Sequence, residues 1–577
     1  MSIWTSLLKT GKSLGSMPAA ELGYEFPPLH HDAKMCSVIC SLDKDGNFLQ
    51  FEKRKTPEKA IIPVTLYSMK RAGLDASDFP NPLNDKAEYI GSENYVQLLS
   101  DWADYAIQHH NPGSDLLAAV LAFVRQGTFL DLASESGVNR SSFVCFKVNQ
   151  VESWKSDDLF RSWIDFYCRE VENDQNIRKG LCMITGENDA LVLKAPKAII
   201  QQHPNGKLIS CNDRKGFTYR GVMNEADEVM SIGVKASHFV HQGLKYIFSH
   251  GAVEIGNNDW LCVWSPEHPT VTYASEFLYG NSDTANRPEI TKDDWNKSIY
   301  GSKILSLDPN ETIVTAVIGG ATDGRLSAKH FEESTCSQFV DRINRWHAAL
   351  SWEIWDRERR ERIPYYPCAF AIVSAAYGHP DEDGKTIIDE SLRAMWINRL
   401  LNAVTKDLPI PQPIVDALIN RAHNAAIYPD WTLLIALAAL RKQYYDKTGV
   451  ILATTNQKEF QNDRSYLYGR LLAIYDKAEQ DYLDLQQDSR TTQAKQVQPG
   501  FVKNPAKYER LLAGRFKTVW SKKLYKKQLN RYRTAIAAIK AEIAEVNDDP
   551  LETTYLFGYY SERRNQYTKQ NEGGKTP

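Results

Sequence analysis

Residues 363–367 read Ile363-Pro364-Tyr365-Tyr366-Pro367. Two prolines three residues apart cannot sit inside one unbroken helix, because each lacks a backbone donor and clashes with the carbonyl one turn before it. The fold divides at this joint. Before it, a charged helix is expected over Glu332 to Arg362. Further back, short alternating segments mix with helices. Met35 to Leu42 and Phe48 to Phe51 flank Asp43-Lys44-Asp45-Gly46, a hairpin signature. Helical periodicity follows at Asn94 to His109, Asp115 to Phe129, Ser156 to Val171 and Ser237 to His250, with strands at Ser142 to Val148, Leu191 to Leu193, Leu208 to Cys211, Trp260 to Trp264 and Ile313 to Ile318. Beyond the joint nearly everything reads as helix: Ser391 to Ala403, Pro411 to Asn424, Trp431 to Tyr445, Ser465 to Leu485, Pro505 to Ser521, Lys522 to Val546 and Leu551 to Lys569. The polar stretch Gln486 to Pro499 is expected to be an exposed connection. The fold class is therefore an α+β N-terminal region with mixed sheets and helices over 1–362, a helical connecting region over 363–449, and an all-α helical bundle over 450–577.

With 577 residues the chain is long enough for several cores, and it has no run of 18 apolar residues that could span a bilayer. Met1 to Met17 has no continuous apolar segment and no small-residue cleavage pattern, so no signal peptide is expected and the cytoplasm is the default location. The nine cysteines are scattered through apolar runs and read as reduced core thiols. Cys36 and Cys40 lack a second ligand pair that would complete a zinc site. The net charge of −3 speaks against coating nucleic acid with the whole surface, but the arrangement is lopsided. Lys503 to Lys540 holds 12 Lys or Arg against one acid, Glu509.

No catalytic constellation emerges, and neither a cofactor nor a metal is expected. His30-His31-Asp32 could begin a metal phosphohydrolase site, but no downstream helix offers the further His and Asp ligands. Gly319 to Gly324 lacks the Gly-Lys-Ser/Thr ending of a phosphate loop. Gly11 to Gly15 spells Gly-x-Ser-x-Gly, yet no strand precedes it and Pro18 follows almost at once, so chance accounts for it.

Nucleic acids are held by cations interleaved with amides and aromatics, since phosphates need charge and bases offer flat faces and polar edges. Three places fit. Lys197 to Arg220 contributes Gln201, Asn205, Lys207, Ser210, Asn212 and Lys215; composition alone favours a solvated hairpin. Lys70, Arg71, Asn84 and Lys86, with Asn81, form a second cluster that could equally be a polar loop. The C-terminal stretch supplies Lys503, Lys507, Arg510, Arg515, Lys522, Lys523, Lys526, Lys527, Arg531 and Arg533 among Tyr508, Phe516, Trp520, Tyr525 and Tyr532. A solvated helix face normally mixes both signs, so this excess of cations points to a phosphate track.

Leu181-Cys182-Met183-Ile184-Thr185-Gly186-Glu187, Gly206 to Asn212, Gly216 to Gly221, Asp259 to Trp264, Tyr466 to Leu471 and Phe557 to Arg563, with Asp85 to Gly91 and Ile304 to Asn310, occur in an order that resembles the large subunit of the type I-C CRISPR surveillance complex, Cascade (the Dvulg-subtype CRISPR-associated large subunit). Ser231 stands where that family usually has Asn, and the loop at His203 to Asn205 lacks its usual Ser-Ser-Gly character. The resemblance implies a non-catalytic subunit bound to crRNA, to the Cascade backbone and handle-capping subunits, and to target double-stranded DNA. In that role it reads the protospacer-adjacent motif (PAM), promotes duplex opening and recruits a helicase-nuclease acting in trans. On that basis Asn84, Lys86, Lys207, Ser210, Asn212 and Lys215 are the chosen DNA-reading residues. The C-terminal bundle resembles the complex's small helical subunit, whose separate production from an internal start would here fall on a non-ATG codon near Val450. The competing readings are an RNA-binding scaffold without DNA-motif preference and a metal-dependent nuclease using His31 and Asp32.

Overall fold

A computed structural model describes residues 2–18, 22, 26–70, 78–192, 194–200, 202–209, 231–274, 278, 307–322, 324–356, 361–380, 386–454 and 458–572. The chain forms two compact units: Met1–Val253 with Trp260–Thr272 and Glu311–Glu333, and Glu254–Asp259 with Tyr273–Asn310 and Ser334–Pro577.

The first unit is built on two sheets. Helix α1 (Ile3–Ser16) precedes β1 (His31–Leu42) and β2 (Phe48–Pro63), which pair antiparallel across the expected turn. Asp43 holds that turn by accepting from the backbone N–H groups of Asp45 (2.9 Å) and Asn47 (2.8 Å). Then come α2 (Leu66–Lys70), β3 (Asp85–Lys86), α3 (Glu93–Gln108), α4 (Ser114–Arg125), α5 (Phe129–Glu135), β4 (Phe143–Val148), β5 (Val151–Glu152) and α6 (Asp157–Asn173). The strand order is β2-β1-β4-β3, with β5 added to β4 and β1 parallel to β4. β1 lies between two partners, and Val38, Cys40 and Leu42 face the core that α3, α4 and α6 fill with Trp102, Phe123 and Trp163.

A small hairpin follows, β6 (Lys179–Leu181) with β7 (Asn188–Ala190). Helix α7 (Val234–His250) then leads into β8 (Val253–Gly256), β9 (Asp259–Trp264), β10 (Thr312–Thr322) and β11 (Arg325–Thr335), in the sheet order β11-β10-β9-β8. β9 is buried at all six positions, as a central strand requires. Leu7 of α1 and Val240, Leu244 and Ile247 of α7 cover this sheet. The two helices meet so closely that a Cβ on Gly11 would lie 2.0 Å from the carbonyl oxygen of Phe239. The chance Gly-x-Ser-x-Gly string thus has a packing reason inside α1.

In the second unit, α8 (Cys336–Leu350) opens on a capping box between Thr335 and Gln338. The expected helix over Glu332 to Arg362 ends there: β12 (Trp352–Asp356) and β13 (Glu361–Tyr365) pair antiparallel, with Ile354 opposite Ile363. Aromatic and β-branched residues in both strands favour the ribbon, and Pro364 is tolerated because a two-stranded ribbon leaves each strand an open edge. The remainder comprises α9 (Ala369–Tyr377), β14 (His379–Pro380) with β15 (Thr386–Ile387), α10 (Glu390–Thr405), α11 (Gln412–Ala422), α12 (Asp430–Thr448), α13 (Arg464–Leu485), α14 (Gln493–Lys503), α15 (Pro505–Thr518), α16 (Lys526–Glu542) and α17 (Thr554–Glu572). Mixed sheets first and helices afterwards is the fold class the sequence predicts. Val450 follows the left-handed Gly449 that ends α12, ahead of α13.

Gln486 to Thr491 is the exposed connection expected, but the rest of the stretch to Pro499 is not open. Thr492 caps α14, and Gln498, 1% exposed, donates to the Ala422 carbonyl (3.0 Å) and to the Tyr555 hydroxyl (3.1 Å). Polar composition suggests solvent, but a fully hydrogen-bonded amide is compatible with burial. α13 is the central helix of the bundle, and it crosses α17 at glycines on both sides. A Cβ on Gly469 would lie 2.0 Å from the Tyr555 carbonyl oxygen, and one on Gly558 2.0 Å from that of Tyr466.

Among the described residues no single helix is long and apolar enough to cross a membrane. Only α4 and α5 together pass that test, as a pair bent by 80°, and their Leu117, Val120, Phe123 and Phe129 are buried.

Candidate nucleic-acid interface

The Asn84 cluster is a buried knot. Leu83 adopts a left-handed φ of 67°, which turns Asn84 inward, where it is 0% exposed. Its Oδ1 accepts from the Phe146 N–H and the Ser153 hydroxyl, both at 3.0 Å, tying the loop to β4. Asn81 is also buried, its backbone and side-chain N–H groups donating to Asp85 at 2.7 and 3.1 Å. Of the residues singled out here, Lys86 alone is seen to reach the surface, 3.5 Å from Glu88 and 5.8 Å from the Tyr89 ring centre. Lys70 closes α2, and Arg71 lies outside the described residues. Asn84 therefore sits where it organises the loop, while Lys86 is where a ligand could meet it.

The second cluster is partly described. Gln201, Ser210, Asn212 and Lys215 lie outside the described residues. Asn205 is exposed at the tip of a loop closed by the Ala198 N–H donating to the Pro204 carbonyl (2.9 Å). Lys207 is fixed to the β10–β11 hairpin, its carbonyl accepting from the Leu326 N–H at 2.8 Å. Burial, then the charges of Lys194 and Lys197 and a hydrogen bond with Lys194, lower the Lys207 ammonium to about 8. Lys194 is a member that sequence reasoning missed. It lies 13 positions before Lys207 and meets it only because the loop folds back.

The C-terminal cations form the largest surface. Pro505, Glu509, Leu512 and Phe516 of α15 are buried, and at roughly 100° per residue they share one stripe. Lys507, Arg510 and Arg515 fall outside that stripe and are exposed, as are Lys503, Lys522, Lys523, Lys526, Lys527 and Arg533. Arg510 lies 3.8 Å from Asp548, and the half-buried Arg531 donates to the Tyr532 hydroxyl (2.9 Å). No carboxylate among the described residues pairs with Lys503, Lys507, Arg515, Lys522, Lys523, Lys526, Lys527 or Arg533.

Four acids packed beneath this face, Glu509, Asp476, Glu479 and Asp481, point the other way. Glu509, the one carboxylate of 503–540, is 8% exposed and bound by the Tyr475 hydroxyl (2.6 Å) and Lys540 (2.7 Å). On α13, Asp476 accepts from Tyr559 (2.6 Å), Glu479 from the Gln493 N–H (2.6 Å), and Asp481 from Tyr532 (2.5 Å) while pairing with Lys477. Inward carboxylates satisfied by hydroxyls and amides leave an outer face more cationic than composition alone implies.

The His30-His31-Asp32 motif starts β1, and α7 does bring further histidines, His238 and His241, into the same interior. They were legible only as a His pair at helical spacing. Asp32 is held by Lys34 and Lys245, each at 2.8 Å, which keep its carboxyl below the usual range despite burial. Burial is the main cause that lowers His30, His238 and His241 to about 4 and His31 to about 3; the charge of His238 adds to it at His30, His31 and His241, that of Lys235 at His30, and that of Lys245 at His238 and His241. Asp32 is thus an ion-pair partner of two ammonium groups beside neutral imidazoles. Among the described residues no group of three or more His, Cys, Asp or Glu is placed to hold a metal ion. Cys36, Cys40 and Cys145 are buried free thiols.

The ordered motifs have structural roles in this chain. Leu181 to Glu187 forms the turn of the β6–β7 hairpin, where the Ser231 hydroxyl donates to the Leu181 carbonyl (2.8 Å). Tyr466 to Leu471 and Phe557 to Arg563 are the facing halves of the α13–α17 crossing, joined by Arg470 and Glu562 at 3.1 Å. No curated protein sequence matches the chain. A family model described as CRISPR-associated protein (Cas_Csd1) matches residues 11–567. That match spans both sheets, the hairpin, the crossing and the cationic helices, and the chain belongs to the CRISPR-associated Cas_Csd1 family.

Proposed function

We propose that this chain is the non-catalytic large subunit of a crRNA-guided type I-C Cascade. In this reading it recognises the PAM, promotes opening of the target duplex, stabilises the resulting R-loop and recruits the helicase-nuclease that cuts. The observation that carries the reading is the outer face running from the end of α14 through α15 and its connection into α16, where eight exposed cations have no carboxylate partner among the described residues, above buried acids. Such a face suits a phosphate backbone, because each neutralised phosphate releases condensed counterions. Family membership supports the assembly with crRNA and other CRISPR-associated subunits. Guide pairing supplies the long sequence readout, and the protein's contribution is short-motif reading and backbone contact. Half-buried Lys86 and Lys207 and exposed Asn205 of the first unit are the described candidates for the duplex side.

The test is binding of the reconstituted crRNA complex, with and without this chain, to duplexes carrying a matched protospacer and a randomised PAM. Enrichment of a short PAM only when the chain is present supports the reading. Unchanged enrichment in its absence overturns it and favours a scaffold role.

A further inference from the structure

Between α15 and α16 the chain reads Trp520-Ser521-Lys522-Lys523-Leu524-Tyr525-Lys526-Lys527. Trp520 is 2% exposed and packs edge-on against Phe516, with ring centres 6.5 Å apart; Leu524 is 7% exposed. These two anchors hold the connection to the bundle. Tyr525, next to Leu524, is 66% exposed. It takes the N-cap position of α16 without giving a side-chain cap, and Lys526 and Lys527 occupy the first turn, where the helix dipole disfavours cations. Three successive positions break the local rule for a helix start, a pattern found where function is served instead. Lys522, Lys523, Lys526 and Lys527 flank Tyr525 along the chain, all exposed and without a carboxylate partner among the described residues.

We propose that Tyr525 is a stacking platform for one base of a single-stranded nucleic acid whose neighbouring phosphates lie on Lys522, Lys523, Lys526 and Lys527. The inference rests on reading the α15–α16 face as a phosphate track and adds a base contact to it. A strand presents charge and flat rings in alternation, and an aromatic between two lysine pairs has the same alternation. An acidic protein segment would use the lysines but has no need of the ring.

The experiment measures binding of the full chain to fluorescent oligo(dT), oligo(U) and an abasic oligodeoxynucleotide of equal length, by anisotropy across a salt series. Tyr525→Ala is expected to weaken oligo(dT), oligo(U) or both roughly tenfold, the scale of one base–aromatic stack, and to leave the abasic strand unchanged; which base-bearing strand responds tells DNA from RNA. Tyr525→Phe, which keeps the ring, is expected to bind like the parent chain. Equal loss for the abasic strand, or no loss for any strand, overturns the stacking role. Replacing the four lysines with Gln separates the two ideas. If that variant loses affinity while Tyr525→Ala does not, the phosphate track stands and the platform falls; if neither loses affinity, the phosphate-track reading fails too.

Discussion

Acidification from pH 7.5 to 5.0 is expected to unfold the first unit, and the magnitude follows from four histidines. His30, His238 and His241 are held near 4 and His31 near 3, against an ordinary value of 6.5. An imidazole lowered by folding binds its proton more tightly in the unfolded chain. Stability is therefore full above about pH 6.5 and falls as pH drops towards 4, by about 1.4 kcal/mol per pH unit for each group. At pH 5.0 each histidine has removed about 2 kcal/mol and the four together on the order of 8 kcal/mol, comparable with a whole domain's stability. Asp32 does not offset this, since its pairing with Lys245 and Lys34 is retained throughout that window and lost only below the carboxylate range. The assay is urea denaturation followed by circular dichroism at both pH values, with hydrogen exchange locating the change in peptides from β1 and α7. His31→Asn removes one titration while offering an amide donor to the Leu29 carbonyl, which His31 Nδ1 meets at 2.9 Å; it should lower the pH slope by about a quarter. Equal urea midpoints at pH 7.5 and 5.0, or protected β1 and α7 amides at pH 5.0, would refute the reasoning.

Asn84→Ala is expected to cost about 1–3 kcal/mol by stranding the Phe146 N–H, seen as a lower thermal midpoint; unchanged stability with lost DNA binding would instead assign Asn84 to the ligand. Gly469→Ala should destabilise the bundle by about 3 kcal/mol or more, because its Cβ meets the Tyr555 backbone and neither helix can yield locally; thermal unfolding at parent level would contradict the close crossing. Lys207, lowered to about 8, should be acetylated at pH 7 on the order of tenfold faster than an ordinary lysine, its larger free-amine fraction being partly offset by lower nucleophilicity, read by mass spectrometry. The chain with Lys522, Lys523, Lys526 and Lys527 changed to Gln should lose roughly 2.8 from the slope of log affinity against log salt for a single strand, about 0.7 per phosphate contact; an unaltered slope would remove these lysines from the interface.

The order of sheets and helices was legible because hydrophobic pattern is local: alternation wrote β1, a short apolar run wrote β9, and the 3.6-residue stripe wrote α3 and α6. The α8 helix was overextended because a charged segment of helical composition hid the strand-forming residues of Trp352 to Asp356, whose backbone is satisfied by pairing with Glu361 to Tyr365. Gln498 looked solvated because a sequence does not show that Ala422 and Tyr555 supply its partners. The excess of cations in Lys503 to Lys540 could be counted directly. Tertiary structure alone decided that Glu509 turns inward, that Asn84 is buried by a left-handed Leu83, that Lys194 faces Lys207, and that Tyr525 stays out while Leu524 and Trp520 go in. Composition and periodicity are properties of neighbours along the chain. Burial, charge pairing and ring exposure depend on residues far apart in sequence, and those the chain fixes only when it folds.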